Sequence, residues 1–275
     1  KKKPPQSQEG IAVFFASNDR YRYARSPLIE VICQLRFPAI LSIGAKEPAE
    51  FQEAVRRDFP RYSARVERVP PKVVGAGTPN ASVQQQPPVT NYQFLSADGT
   101  WKLNLTSSFI ALSTLRYTRW EEFAQALDRP LAQFIQIYQP AFFERAGLRY
   151  INAFSRKVLG LEDTPWADLI QPAFLGPLAE PDVEESTVTR CALDLEMRPE
   201  QEVRLKPHAG PGLLGGGKRD PEVKFILDSD LSWAGNLSAD QIPARLERFH
   251  IWATRLLRSA VTSQLHTAMG PFPMD

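Results

Sequence analysis

Leu28-Ile29-Glu30-Val31-Ile32-Cys33-Gln34-Leu35-Arg36-Phe37 decides how the rest of the chain is read. Ile29, Val31, Cys33, Leu35 and Phe37 alternate with the remaining residues, and period two with β-branched side chains means a strand with one buried face. The other face then carries Glu30, Gln34 and Arg36. A second run, Gly147-Leu148-Arg149-Tyr150-Ile151-Asn152-Ala153-Phe154, has the same character, and its Leu148-Arg149-Tyr150 repeats Leu35-Arg36-Phe37 in kind. The elements after each run keep one order: a short helix, three strands, then a long amphipathic helix.

After the first run a helix starts near Pro48, with Phe51, Val55 and Phe59 at helical spacing, and Pro60 ends it. Residues 69–88 hold five prolines and three consecutive glutamines and read as a loop or an irregular edge. Strands at 92–95 and 101–105 flank the hairpin signal Asp98-Gly99, and a third strand covers 109–115. Thr118-Arg119-Trp120-Glu121 has the capping-box pattern. The helix it opens carries Trp120, Phe123, Leu127, Leu131, Phe134, Ile135 and Tyr138 on one face. Pro130 inside it is expected to kink or split it, because proline removes a backbone donor.

After the second run, Thr164-Pro165 reads as a cap followed by a proline at the first helical position, with Trp166, Leu169 and Ile170 apolar. Strands are expected at 187–197, 203–206 and 223–231. Ser238-Ala239-Asp240-Gln241 is a second capping box. The long helix behind it turns Ile242, Leu246, Phe249, Ala253, Leu256, Ala260 and Leu265 inward. The fold expected is therefore α+β, a duplicated β-α-β-β-β-α unit. Its single curved antiparallel sheet carries helices on one face and leaves the other open for binding. In topology it resembles the saddle of the TATA-binding protein, without a match in sequence. The divisions expected are a flexible N-terminal arm at 1–25, a first unit at 26–140, a second at 141–269 and a tail at 270–275.

Thirty-three basic and thirty-one acidic residues among 275 leave a net charge of +2, which gives no general pull toward phosphate backbones or anionic membranes. No apolar stretch approaches the roughly 20 residues that span a bilayer. Lys1-Lys2-Lys3-Pro4-Pro5 lacks the apolar run of a signal peptide and reads as a disordered tail. Cys33 and Cys191 lack Cys-x-x-Cys spacing and read as buried free thiols in a reducing cytoplasm. His208, His250 and His266 have no metal-site spacing, and His250 within Phe249-His250-Ile251-Trp252 reads as a core imidazole.

Gly212-Leu213-Leu214-Gly215-Gly216-Gly217-Lys218 matches the start of a phosphate-binding loop. Arg219 stands where Ser or Thr is required, and Asp220-Pro221 leads into a strand instead of a helix, so a hairpin loop is the reading. Asp194, Glu196, Asp228 and Asp230 lack the histidine or tightly spaced third acid of a metal centre. No Ser, Cys or His sits in a nucleophile context. The candidate binding residues are Arg20, Tyr21, Arg22, Tyr23 and Arg25, whose Arg/Tyr interleaving suits bases or protein hot spots, and Arg36 and Arg149 on the open face. Each of the latter two could grip an anion, or pair with Glu30, Asp194 or Asp228 across neighbouring strands.

Several phrases taken together, Ser26-Pro27-Leu28-Ile29-Glu30-Val31 to Leu35-Arg36-Phe37, Tyr117-Thr118-Arg119-Trp120-Glu121-Glu122-Phe123, Gly147-Leu148-Arg149-Tyr150-Ile151-Asn152, and Phe249-His250 leading to Ala260-Val261-Thr262, resemble an uncharacterised, sporadically distributed family of bacterial proteins. The resemblance covers nearly the whole chain from Ser26 to Met269. It implies a bacterial cytoplasmic protein and transfers no site. Sporadic distribution is associated with defence and toxin–antitoxin cargo. The expectation is a non-enzymatic adaptor without cofactor or membrane contact, docking a protein partner through the Arg/Tyr arm and exposed strand edges. The alternatives are a nucleic-acid binder using the open face, with Arg36 and Arg149 on phosphates, and a small-ligand protein or enzyme with its site between the halves, near Arg36, Arg149, Asp194 and Asp228.

Overall fold

The two alternating runs meet at the middle of one sheet. In the computed structural model, which describes residues 20–68, 70–74, 82–217 and 220–273, Val31, Cys33 and Leu35 lie directly opposite Tyr150, Leu148 and Ala146. In chain order the strands are β1 (Tyr21–Tyr23), β2 (Leu28–Arg36), β3 (Arg61–Glu67), β4 (Lys72–Val74), β5 (Ser82–Gln84), β6 (Val89–Leu95), β7 (Trp101–Leu105), β8 (Phe109–Thr114) and β9 (Phe143–Phe154). They continue with β10 (Leu193–Asp194), β11 (Met197–Glu200), β12 (Val203–Leu213), β13 (Val223–Leu237) and β14 (Pro271–Pro273). The helices are α1 (Leu41–Ala45), α2 (Ala49–Val55), α3 (Trp120–Tyr138), α4 (Arg156–Leu159), α5 (Trp166–Leu169), α6 (Ile242–Ala260) and α7 (Ser263–Ala268).

Ten strands form an antiparallel sheet in the order β10-β12-β13-β9-β2-β8-β7-β6-β3, with β11 also on β12. Outward from the central β2–β9 pair, β2 is flanked by β8 and β9 by β13. The inward residues of successive strands, among them Cys33, Leu103, Leu112, Leu148, Leu205 and Leu227, are fully buried. Helices α3 and α6 cover that face. Phe123, Leu127 and Phe134 of α3 and Leu246, Phe249 and Leu256 of α6 join the same core. Rings interlock there, Phe134 standing 4.7 Å from Phe37.

Several local expectations are corrected. The structure adds a strand, β3, after α2, so the first half places four strands behind its helices in the large sheet; Tyr62, Ala64 and Val66 supply its alternation. The strand expected at 187–197 is replaced by two short ones, β10 and β11, that pair with β12 on either side of Leu195 and Glu196; a 3-10 turn at Glu185–Thr187 occupies its expected start. Residues 69–88, read as a loop or an irregular edge, contain the short β4–β5 pair, which stands apart from the large sheet. Helix α3 runs unbroken through Pro130. Its N-cap is Arg119, without a side-chain cap, and the Thr118 hydroxyl meets the Glu122 carboxylate instead of a backbone amide. Thr164 does not cap α5; the Glu185 carboxylate accepts from the Trp166 amide at 2.8 Å. The box at Ser238 is present, with the Ser238 amide donating to Gln241 Oε1 at 3.0 Å.

Residues 214–217 form a 3-10 turn between β12 and β13, and no helix follows them; Lys218 and Arg219 lie outside the described residues. Most of the expected arm, 1–19, and the last two residues of the tail also lie outside them. The rest of arm and tail is paired: Tyr21, Arg22 and Tyr23 face Pro273, Phe272 and Pro271. Gly270 makes the turn into β14 at φ +68°, a left-handed conformation that a side chain would strain, with the Ala24 amide on its carbonyl at 2.9 Å. Among the described residues no helix is long and apolar enough to cross a membrane.

Candidate functional site

The arm closes a cavity of about 200 Å³ at the end of the sheet where α3 begins and α6 passes. Strand pairing with β14 holds Tyr21 and Tyr23 in its wall. Alternation along β9 sends Tyr150 inward on the same face as Leu148, and helical spacing along α6 brings His250 to meet it. Tyr117 and Trp120, at the entry to α3, complete the aromatic lining. The Tyr150 hydroxyl and His250 Nδ1 are 2.9 Å apart, and the Trp120 ring stacks on the imidazole at 5.0 Å and 6°. The Trp120 indole N–H donates to the Glu247 carboxylate, tying α3 to α6.

Burial sets the protonation states. It pushes the Tyr150 and Tyr117 hydroxyls well above the usual phenol range, and Tyr23 up to about 12. It pushes His250 down to about 4, helped by the Arg20 guanidinium, so the imidazole is neutral at pH 7. One atom of this group, His250 Nε2, is buried without a hydrogen-bond partner, while the Tyr117 hydroxyl interacts with that of Tyr150. The charged residues in the lining are Arg20, Arg22 and Arg119, with no carboxylate among them. Arg20 is bound to Glu121 at 2.8 Å, which holds that carboxyl below its usual range, and Arg119 lies 3.3 Å from Glu122. Arg22 is exposed and makes no ion pair among the described residues.

Of the residues singled out in the sequence, Arg20, Tyr21, Arg22 and Tyr23 converge on this cavity. Arg25 does not line it; its amide bonds the Met269 carbonyl at 3.0 Å. Tyr23 is anchored to His266 Nδ1 at 3.0 Å. Arg36 and Arg149 lie on the opposite sheet face, where Arg36 faces Arg145 and Arg149 faces Ile32 in the register. Arg149 is committed to Asp228, with Nε to Oδ1 at 2.7 Å. Asp194 is paired with His208 at 2.7 Å. Asp194, His208 and Asp228 thus share one row across β10, β12 and β13 with Arg149 beside it, while Arg36 lies farther along β2, opposite Arg145. Cys33 is buried and Cys191 half-buried, both as free thiols.

The sequence reading missed Tyr117, Trp120, Tyr150 and His250 as a group because Trp120, Tyr150 and His250 are, locally, inward residues of ordinary helices and a strand, and Tyr117 lies in the connection before α3. One signal was available: all four fall within the phrases that carry the family resemblance. Among the described residues, no group of three or more His, Cys, Asp or Glu could hold a metal ion. In comparisons with known proteins, no family model and no curated protein matches the chain.

Proposed function

We propose that this protein is a non-enzymatic binding protein that docks a protein partner along β3, by accepting a strand of the partner on the sheet's open edge. The observation that carries this reading is the state of β3. Among the described residues it is the last strand of the sheet on its side and pairs only with β6, and all seven of its residues are exposed. Val66 is 70% exposed on it. A long, exposed edge strand is a template for another chain unless proline, a bulge or a cover blunts it. Neither a proline nor a register shift interrupts β3. The resemblance to a sporadically distributed bacterial family is the ground for reading the partner as a component of a defence or toxin–antitoxin-like system.

We also read the chain as a duplicated saddle, on the ground that the first and last strands of each half are neighbours and the two first strands meet centrally. The test of docking is affinity capture from the native host with wild type and with the pair Ser63→Pro and Val66→Lys, after nuclease treatment. A stoichiometric protein held by wild type and released by the edge variant, with unchanged circular dichroism, supports strand addition. Equal capture by both removes β3 from the interface.

A second reading has its own observation. On the open face of the first half, Arg36, Arg61, Arg65 and Lys102 make no ion pair among the described residues. On the second half Arg145, Arg149, Arg204 and Lys206 all have carboxylate partners. Unpaired cations beside Gln34, Gln93 and Asn104 suit a single-stranded nucleic acid. Capture of nucleic acid, with affinity that falls steeply with salt and with Arg36→Ala and Lys102→Ala, would favour this reading over docking at β3.

A further inference from the structure

We infer that the cavity between β1, α3 and α6 is a binding site for a small monocyclic aromatic acid, a ligand carrying one ring and one carboxylate. Size, wall chemistry and charge each narrow the choice. An apolar protein cavity of roughly 150 Å³ admits benzene, so the 200 Å³ here holds a single ring with a substituent. Drug-sized and nucleotide-sized ligands need pockets of about 300 Å³ and upward. The walls carry the rings of Tyr117, Trp120 and Tyr150 over an aliphatic floor of Leu28, Ala253 and Leu257, which suits a flat apolar body, while the Tyr21 and Tyr23 rings pack on His266 and leave the other side of β1 to Arg22.

Charge selects the substituent. The three charged residues in the lining are all arginines. Two of them already hold carboxylates of α3, Arg20 on Glu121 and Arg119 on Glu122. Arg22 alone of the three is without an ion pair among the described residues, and its planar guanidinium can take one carboxylate through two parallel hydrogen bonds. A cationic ring would meet like charge, and a neutral one would leave Arg22 as it is. The buried, unpartnered His250 Nε2 points the same way, since native folds leave such an atom without a partner mainly where water or a ligand supplies one.

The test uses the full chain and five probes: benzoate, 4-hydroxybenzoate and phenylacetate as acids, benzyl alcohol as the neutral ring and benzylammonium as the cation. Calorimetry and thermal melting read binding. The acids are expected to raise Tm at millimolar concentration and to bind at least about tenfold more tightly than the other two. Arg22→Ala, which removes an exposed and unpaired side chain, is expected to weaken acid binding about tenfold without moving the Tm of the free protein. Ala253→Leu, which fills the floor, is expected to abolish binding. No Tm rise or heat with any acid overturns the site. Equal binding of benzyl alcohol or benzylammonium, or acid binding unaltered by Arg22→Ala, overturns the assignment of the ligand class.

Discussion

At the scale of single residues, His250 gives the molecule its sharpest pH dependence. Its folded pKa of about 4 lies below the ordinary 6.5, so between those values the unfolded chain holds the extra proton and stability rises with pH. The contribution is complete above pH 6.5 and is lost as the pH falls through 4, about 3 kcal/mol in all. His250→Gln should therefore unfold in acid with about one proton less taken up over that window. Identical proton uptake in the two proteins would mean that His250 is not held neutral. Gly147 illustrates a different constraint. A Cβ there would lie 2.3 Å from Arg145 Nη1, because the arginine lies across this glycine to reach both oxygens of Asp230 at 3.1 Å. Gly147→Ala should cost about 1 kcal/mol in urea unfolding, and the cost should shrink once Arg145 is replaced by methionine.

At the scale of elements, the junction of β9, α4 and β13 depends on one buried lysine. The Lys224 ammonium, its side chain 9% exposed, contacts Asp220 and Glu222, and Glu222 also accepts from the Ser155 hydroxyl that caps α4. Lys224→Met would leave two carboxylates facing each other without a counter-ion. The expected loss is about 1 kcal/mol, measured by urea unfolding, because both carboxylates keep access to water, and a loss within error would show that they relax fully into solvent. Element identity was largely legible in the chain. The strands at 28–36 and 101–105, the inward face of α3 and the box at Ser238 all derive from periodicity and capping chemistry. What escaped were elements whose signal is short or diluted. Tyr62, Ala64 and Val66 alternate between two proline-bearing segments, and β10 has only two residues. The cap of α5 comes from Glu185, nineteen positions away, which no local pattern could disclose.

At the scale of the whole molecule, one sheet face is closed by α3 and α6 and the other is left to charge. Its second half is internally neutralised by cross-strand pairs, and its first half is not. The salt dependence of any nucleic-acid affinity should accordingly respond to Arg36 and Lys102 and be insensitive to Arg149, whose guanidinium is already held by Asp228. If Arg149→Ala weakens such binding as much as Arg36→Ala does, the pairing across the second half is not maintained in the bound state.

The sequence by itself determined the antiparallel α+β plan, the inward faces of its long helices and the two runs that meet at its centre, because period and capping are local properties of the chain. It also singled out Arg20 to Tyr23. Only the tertiary structure decided that these residues are a cavity wall and not a free arm, since their partners, His266, Glu121 and β14, lie about 100 or more positions away. The same holds for Arg149, which had an anion and three carboxylates open to it in sequence. Register sets Asp230 opposite Arg149 and Asp228 one step along; Arg145 takes Asp230, which leaves Asp228 to Arg149, while Arg36 stands between Phe109 and Arg145 with no carboxylate opposite it.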